Sequence, residues 1–148
     1  MVAAYVQALR GSHRNVRLLL TNSALLGFTI DGGIYSVIFN LYILRLSFGP
    51  EFVGQVSSVA NLVFAVGSLL AGWLGTRWGA RRTMVLGLAI VASGALAVPM
   101  SDVVAGTWRG AWVLGSFTVL NAGLALYYVN SGPYLLKATR NEARCNVF

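Results

Sequence analysis

Charge is what this chain has least of. Only 10% of its 148 residues are charged, where a soluble domain carries roughly 25%. So few charges cannot clothe a globular surface, and the composition argues against a soluble domain. Cysteine is limited to Cys145, which excludes an internal disulfide. The single histidine, His13, lies in a basic tail with no Cys/His cluster around it, so no metal site is expected. There is no Ser/His/Asp grouping, no paired carboxylate and no phosphate loop. The glycine-rich turn at 72–79 follows an apolar run and not a strand, so it is no dinucleotide fingerprint. These absences exclude the common catalytic sets; no enzyme activity and no cofactor are expected.

Apolar sequence is what the chain has most of, at 57%. Leu18–Leu44 contains one charge, Asp31, while Phe52–Leu74, Met84–Met100 and Gly110–Leu136 contain none. A bilayer core of about 30 Å takes about 20 apolar residues in a helix. The first and fourth runs exceed that length and are expected to tilt or protrude. The first is too long for a signal-peptide core and has no cleavage site after it. Transmembrane strands would alternate over about ten residues; uncharged runs of this length are helices, whose backbone is satisfied internally.

The few charges are sorted by position. The net charge is +7. Arg10, Arg14 and Arg17 precede the first run; Arg77, Arg81 and Arg82 separate the second from the third; Lys137, Arg140 and Arg144 follow the fourth. The intervening turns hold Arg45, Glu51, Asp102 and Arg109, which cancel. This positive-inside pattern predicts a multi-pass plasma (inner) membrane protein with both termini cytoplasmic. The bilayer is the expected partner, with basic tails favouring anionic headgroups, and nucleic acid is not.

The sequence therefore reads as an all-α integral membrane protein. Residues 1–16 form a basic cytoplasmic tail. Four transmembrane helices are expected within 17–137, at about 17–46, 51–75, 83–101 and 108–137. A cytoplasmic segment over 138–148 follows. Gly49-Pro50 forms one external turn, with Pro50 suited to a first helical position, and 102–107 forms the other. Residues 76–82 are the intervening loop.

On the first span Asp31, Tyr35, Ile38, Tyr42 and Arg45 fall on one face. An aspartate at membrane depth costs about 2.5–3.5 kcal/mol on insertion scales. Two readings stand: a proton or substrate site in an aqueous cavity, or a structural carboxyl bonded to a neighbouring helix. Gly32-Gly33 beside it permits a bend or a close contact. On the second span Gly54, Ser58, Asn61, Ala65, Ser68, Gly72 and Gly75 form a stripe that suits close helix approach. Asn61 there is a helix-contact residue with a substrate contact as the alternative. The third span is the plainest, suited to a peripheral, lipid-facing place, with Gly87 and Gly94 offering local contacts. On the fourth, Gly123, Tyr127, Asn130 and Tyr134 share a face, and Gly132-Pro133 is expected to kink the helix. Tyr127 and Asn130 are cavity-lining candidates.

The basic loop carries a resemblance. Gly72, Leu74, Gly75, Arg77, Gly79, Arg81 and Arg82 resemble the signature between helices 2 and 3 of the major facilitator superfamily of secondary transporters. Thr76 stands where that signature has an acid, and Ala80 where it has an arginine. The stretch Gly132-Pro133-Tyr134-Leu135-Leu136 with Asn141-Glu142-Ala143-Arg144 resembles the family's helix 4 end. The resemblance implies the first part of a six-helix bundle, two such bundles per transporter, helices 1 and 4 lining a central cavity and helix 3 outside. It implies a cytoplasmic gate at Gly72, Gly75, Arg77, Gly79, Arg81 and Arg82. Thr76 cannot supply that gate's ionic partner, and proton coupling would rest on Asp31 alone.

Four helices are a third of such a transporter, and the chain stops before a fifth. The leading expectation is thus an N-terminal fragment of a transporter that moves a small solute by alternating access. Its missing C-terminal helices, or a second chain, would be partners beside the solute itself. Two alternatives remain open: a small four-helix dimeric exporter with Asp31 as its exchanging carboxylate, and a non-transporting membrane assembly subunit that uses the small-residue stripe as its binding surface.

Overall fold

The computed structural model describes residues 14–30, 33–104 and 106–145. They contain five α-helices, one 3₁₀ turn and, among the described residues, no strand. Helix α1 is Arg14–Thr29, α2 Ile34–Arg45, α3 Pro50–Trp78, α4 Ala80–Ala97 and α5 Trp108–Cys145; the 3₁₀ turn Pro99–Asp102 follows α4. Four stretches are long and apolar enough to cross a bilayer: Leu18–Arg45, Pro50–Trp78, Ala80–Asp102 and Trp108–Lys137. Their surfaces agree, since Leu41, Leu69, Val85, Leu96 and many other large apolar side chains are exposed. Water would penalise so much apolar surface, whereas hydrocarbon does not.

The chain divides into two compact units, Ser47–Pro133 being one and the flanking segments the other. In the flanking unit the first span is two helices rather than the one continuous helix expected over 17–46. The junction is local. Gly33 adopts an extended backbone before α2, and a Cβ there would run into the Phe28 carbonyl, so only glycine fits. Ser36 Oγ donates to the Ile30 carbonyl at 2.8 Å, occupying an acceptor that the interruption frees.

In the unit Ser47–Pro133, three helical segments pack together. Pro50 sits in the first turn of α3, where its missing N–H costs nothing. Phe48 stacks on Phe52 at 4.4 Å between centroids, a contact across the helix start that sets the entry angle of the chain. The expected loop over 76–82 contracts to one residue. Thr76, Arg77 and Trp78 finish α3, and Ala80, Arg81 and Arg82 begin α4. Gly79 between them has φ of 89°, which glycine tolerates without strain. Its N–H donates to the Gly75 carbonyl at 3.0 Å, and its own carbonyl accepts from Thr83. The expected helix over 83–101 starts three residues earlier and ends at Ala97, passing into the 3₁₀ turn.

The core lies where α5 meets α4 and α3. Buried side chains include Val56, Ala60, Ala71, Met84, Val91, Val113, Leu120, Leu124 and Tyr127. Glycines set the α4–α5 spacing. A Cβ on Gly87 would lie 2.8 Å from the Gly123 carbonyl oxygen, and one on Gly123 would lie 2.7 Å from that of Gly87. A Cβ on Gly94 would lie 2.7 Å from the Leu120 nitrogen. These are backbone-to-backbone approaches, the packing that helices use in lipid. Toward the other end of α4, Trp112 Nε1 donates to the Ala97 carbonyl at 2.8 Å, which serves one of the last carbonyls of α4. Trp112→Phe is expected to cost about 1 kcal/mol, read as a lower thermal midpoint in detergent.

The fourth span runs as one helix with Pro133 inside it. The helix also continues to Cys145, beyond the expected end at 137.

Candidate functional site

The polar residues singled out from sequence occupy different settings. Asp31 lies outside the described residues. Tyr35 and Tyr42 are half-buried on α2, while Phe39 and Ile43 form that helix's buried face. Tyr35 is parallel to Phe39, at 6.2 Å between centroids. Its phenol oxygen is buried with no hydrogen-bond partner among the described residues. Tyr35 and Tyr42 therefore edge the buried face, while Ile38 and Arg45 of the same stripe are exposed.

Tyr127 and Asn130 lie on the packed face of α5. Tyr127 is fully buried; its backbone nitrogen lies against Gly87, and its ring meets Tyr128 edge-on at 5.5 Å. Asn130 is 3% exposed and joins two helices. Its Nδ2 donates to the Ala71 carbonyl of α3 at 3.0 Å and to the Leu126 carbonyl of its own helix at 3.0 Å. A Cβ on Gly75 would overlap the Asn130 carboxamide. Gly75 and Asn130, far apart in sequence, thus form one interhelical fastener. Only a residue without a side chain lets the amide reach the backbone of α3.

Asn61 is exposed, as are Gly54, Ser58 and Ala65 of its stripe, while Ser68, Gly72 and Gly75 are partly covered. The buried line of α3 runs instead through Val56, Ala60 and Ala71. Gly67 approaches it, where a Cβ would meet the Ala125 Cβ at 3.3 Å. That line lies roughly a third of a turn from the stripe at 100° per residue. The small-residue contacts within this unit are therefore made mainly by α4 and α5. Their signal in the sequence is the spacing Gly87, Val91, Gly94 against Ser116, Leu120, Gly123, both at helical steps of three and four.

At the α3–α4 junction, Trp73, Arg77, Trp78, Arg81 and Arg82 are all exposed. The Arg77 guanidinium lies over the Trp73 ring, 5.3 Å from its centroid. Thr76 Oγ1 donates to the Trp73 carbonyl at 2.7 Å and so turns back onto its own helix. Away from this junction, an open groove of about 410 Å³ lies between α4 and α5. Ser93, Gly94, Ala97, Trp112, Ser116 and Val119 line it, with no charged group among them. No cluster of metal-ligating side chains occurs among the described residues.

One comparison with known proteins finds a match. The sequence pattern of the Major Facilitator Superfamily matches residues 21–147. The chain belongs to the major facilitator superfamily. The match takes in most of the first span and the whole of the other three, with Asp31 and the junction at Gly79. No curated protein and no solved structure matches the chain. Members of the superfamily are membrane transporters, and this chain is a multi-pass membrane protein of that family.

Proposed function

We propose that the chain supplies the N-terminal helices of a secondary transporter that moves a small solute by alternating access. The observation that carries this reading is the superfamily match over residues 21–147, which reaches all four spans. In it both termini are cytoplasmic in a plasma (inner) membrane, because the basic residues cluster on that side. Asp31, Tyr35 and Tyr42 face the solute pathway from the first span, with Asp31 as the group that exchanges protons. Arg77, Arg81 and Arg82, poised on the Gly79 hinge, form the cytoplasmic gate with Gly72 and Gly75. The packing of Asn130 and Tyr127 makes them supports that hold α5 against α3 and α4 while the gate moves.

The exposed part of the α3 stripe supports further helices beside these. Asn61 is an exposed carboxamide at membrane depth, and such a group requires a protein or water neighbour, whereas Ser58 satisfies its hydroxyl on the Gly54 carbonyl of its own helix. The remaining helices of the same transporter fit that demand. A second copy of the chain, as in a dimeric exporter, and an assembly partner are the competing occupants.

The test is transport in proteoliposomes with a pH-sensitive dye inside, using the chain together with whatever helices its gene encodes after it. Addition of the right solute from a panel should shift lumenal pH. Asp31→Asn is expected to lower proton-linked flux at least 100-fold, the scale on which loss of a positioned acid–base group acts. Solute flux with no proton movement would remove Asp31 from the mechanism. Absence of flux for every solute, with a stoichiometric membrane partner recovered, would favour the assembly reading.

A further inference from the structure

The junction between α3 and α4 carries charge of one sign only. Within Ser47–Pro133 the acidic residues are Glu51 and Asp102. Glu51 opens α3 and Asp102 closes the turn after α4, so both lie at the ends of those helices remote from the junction. Arg77, Arg81 and Arg82 therefore have no acidic neighbour within their own unit. Arg77 is held on an indole face. Arg81 and Arg82 occupy the first turn of α4, which contains no acidic residue. The positive end of that helix's dipole adds to their charge and does not offset it. Thr76 is uncharged and brings no counter-charge, and its hydroxyl donates to the Trp73 carbonyl.

The same few residues carry two exposed indoles, Trp73 at 56% and Trp78 at 51%. Tryptophan with one apolar and one polar edge settles at headgroup depth; Trp78 ends its membrane span and Trp73 lies in the last turns of the same span. Arginine presents paired N–H groups that match phosphate oxygens. We propose that the surface formed by Trp73, Arg77, Trp78, Arg81 and Arg82 docks the phosphate of an anionic phospholipid headgroup. The guanidinium groups hold the phosphate oxygens, and the indoles flank the glycerol region. The lipid supplies the negative charge that the unit itself does not place at this end. This surface includes the arginines of the proposed gate, but its occupancy is independent of any solute, so the lipid site and the transport reading fail separately.

The chain contains four tryptophans. A Trp108→Phe/Trp112→Phe variant leaves Trp73 and Trp78 as the reporters. It is placed in nanodiscs of phosphatidylcholine doped with brominated phosphatidylglycerol or, at the same fraction, brominated phosphatidylcholine. Brominated phosphatidylglycerol is expected to quench as if enriched roughly tenfold at the indoles, given the attraction of anionic lipid for several arginines. Arg77→Gln/Arg81→Gln/Arg82→Gln should bring the two lipids to parity, whereas the triple lysine variant should keep most of the preference. Equal quenching in the parent, or a preference that survives the glutamine substitutions in a chain of unchanged helicity, overturns the proposal. So does a preference erased by millimolar inorganic phosphate, which would assign the anion to solution. The comparison of the two lipids in the Trp108→Phe/Trp112→Phe protein, its helicity checked against the native chain, needs no charge substitution, so misfolding of a glutamine variant cannot rescue the idea.

Discussion

Gly123→Ala lowers the thermal midpoint of the purified chain by roughly 5 °C or more, while Gly115→Ala on the same helix leaves it level or raises it. The first substitution adds a methyl group 2.7 Å from the Gly87 carbonyl oxygen and 2.7 Å from the Val91 nitrogen. Neither atom is the end of a side chain that can swing aside, so relief requires α4 and α5 to separate. Overpacking of this kind costs about 1–3 kcal/mol, and each kcal/mol moves the midpoint of a chain this long by a few degrees. At Gly115 nothing lies within 4 Å of the added carbon. There the alanine only narrows the conformational freedom of the unfolded chain, which favours the helix by about 0.5–1 kcal/mol. Fluorescence-monitored melts of the two variants and the parent decide the matter. Equal effects would mean that α4 and α5 do not approach through their glycines.

Gly75→Ala is expected to destabilise the parent by about 2 kcal/mol and to have almost no effect once Asn130 is alanine. The added methyl group would overlap the Asn130 carboxamide. It would displace the amide from the Ala71 carbonyl, to which it donates at 3.0 Å. Interhelical hydrogen bonds in membranes average about 0.6 kcal/mol, so Asn130→Ala alone should be the milder change. The steric term disappears in the double variant, and the coupling between the two sites should exceed about 1 kcal/mol. Chemical or thermal unfolding of the four proteins in one detergent measures it. Additive effects would show that the two residues do not meet.

The part of this architecture that was legible in the sequence is the part that lipid enforces. Uncharged runs of membrane length must be helices, whatever they pack against, because their backbone finds no water. Hence the four spans emerged from composition, and Gly49-Pro50 was readable as a turn from backbone chemistry alone. The basic junction was legible as a motif but not as a shape. Gly79 at φ of 89° compresses an expected seven-residue loop into a single hinge residue, and one sequence does not distinguish a tight hinge from a short loop. The α3 stripe shows a similar gap. Its periodicity was real, yet the line of α3 that packs within its unit lies to one side of it, through Val56, Ala60 and Ala71. Small residues permit close approach on any face that carries them, and the neighbour decides which face is used.

The sequence by itself determined an all-helical membrane chain of four spans, the clustering of its basic residues and its resemblance to a transporter family. Each follows from the cost of placing charge or unsatisfied backbone in hydrocarbon, a property of residues taken one stretch at a time. Only the tertiary structure decided that Gly87 meets Gly123, that Asn130 reaches across to Ala71, and that Arg77 rests on Trp73. The helix–helix contacts depend on the rotation and depth of one helix against another. In lipid those are set by how closely two backbones can approach, and that is a property of the pair.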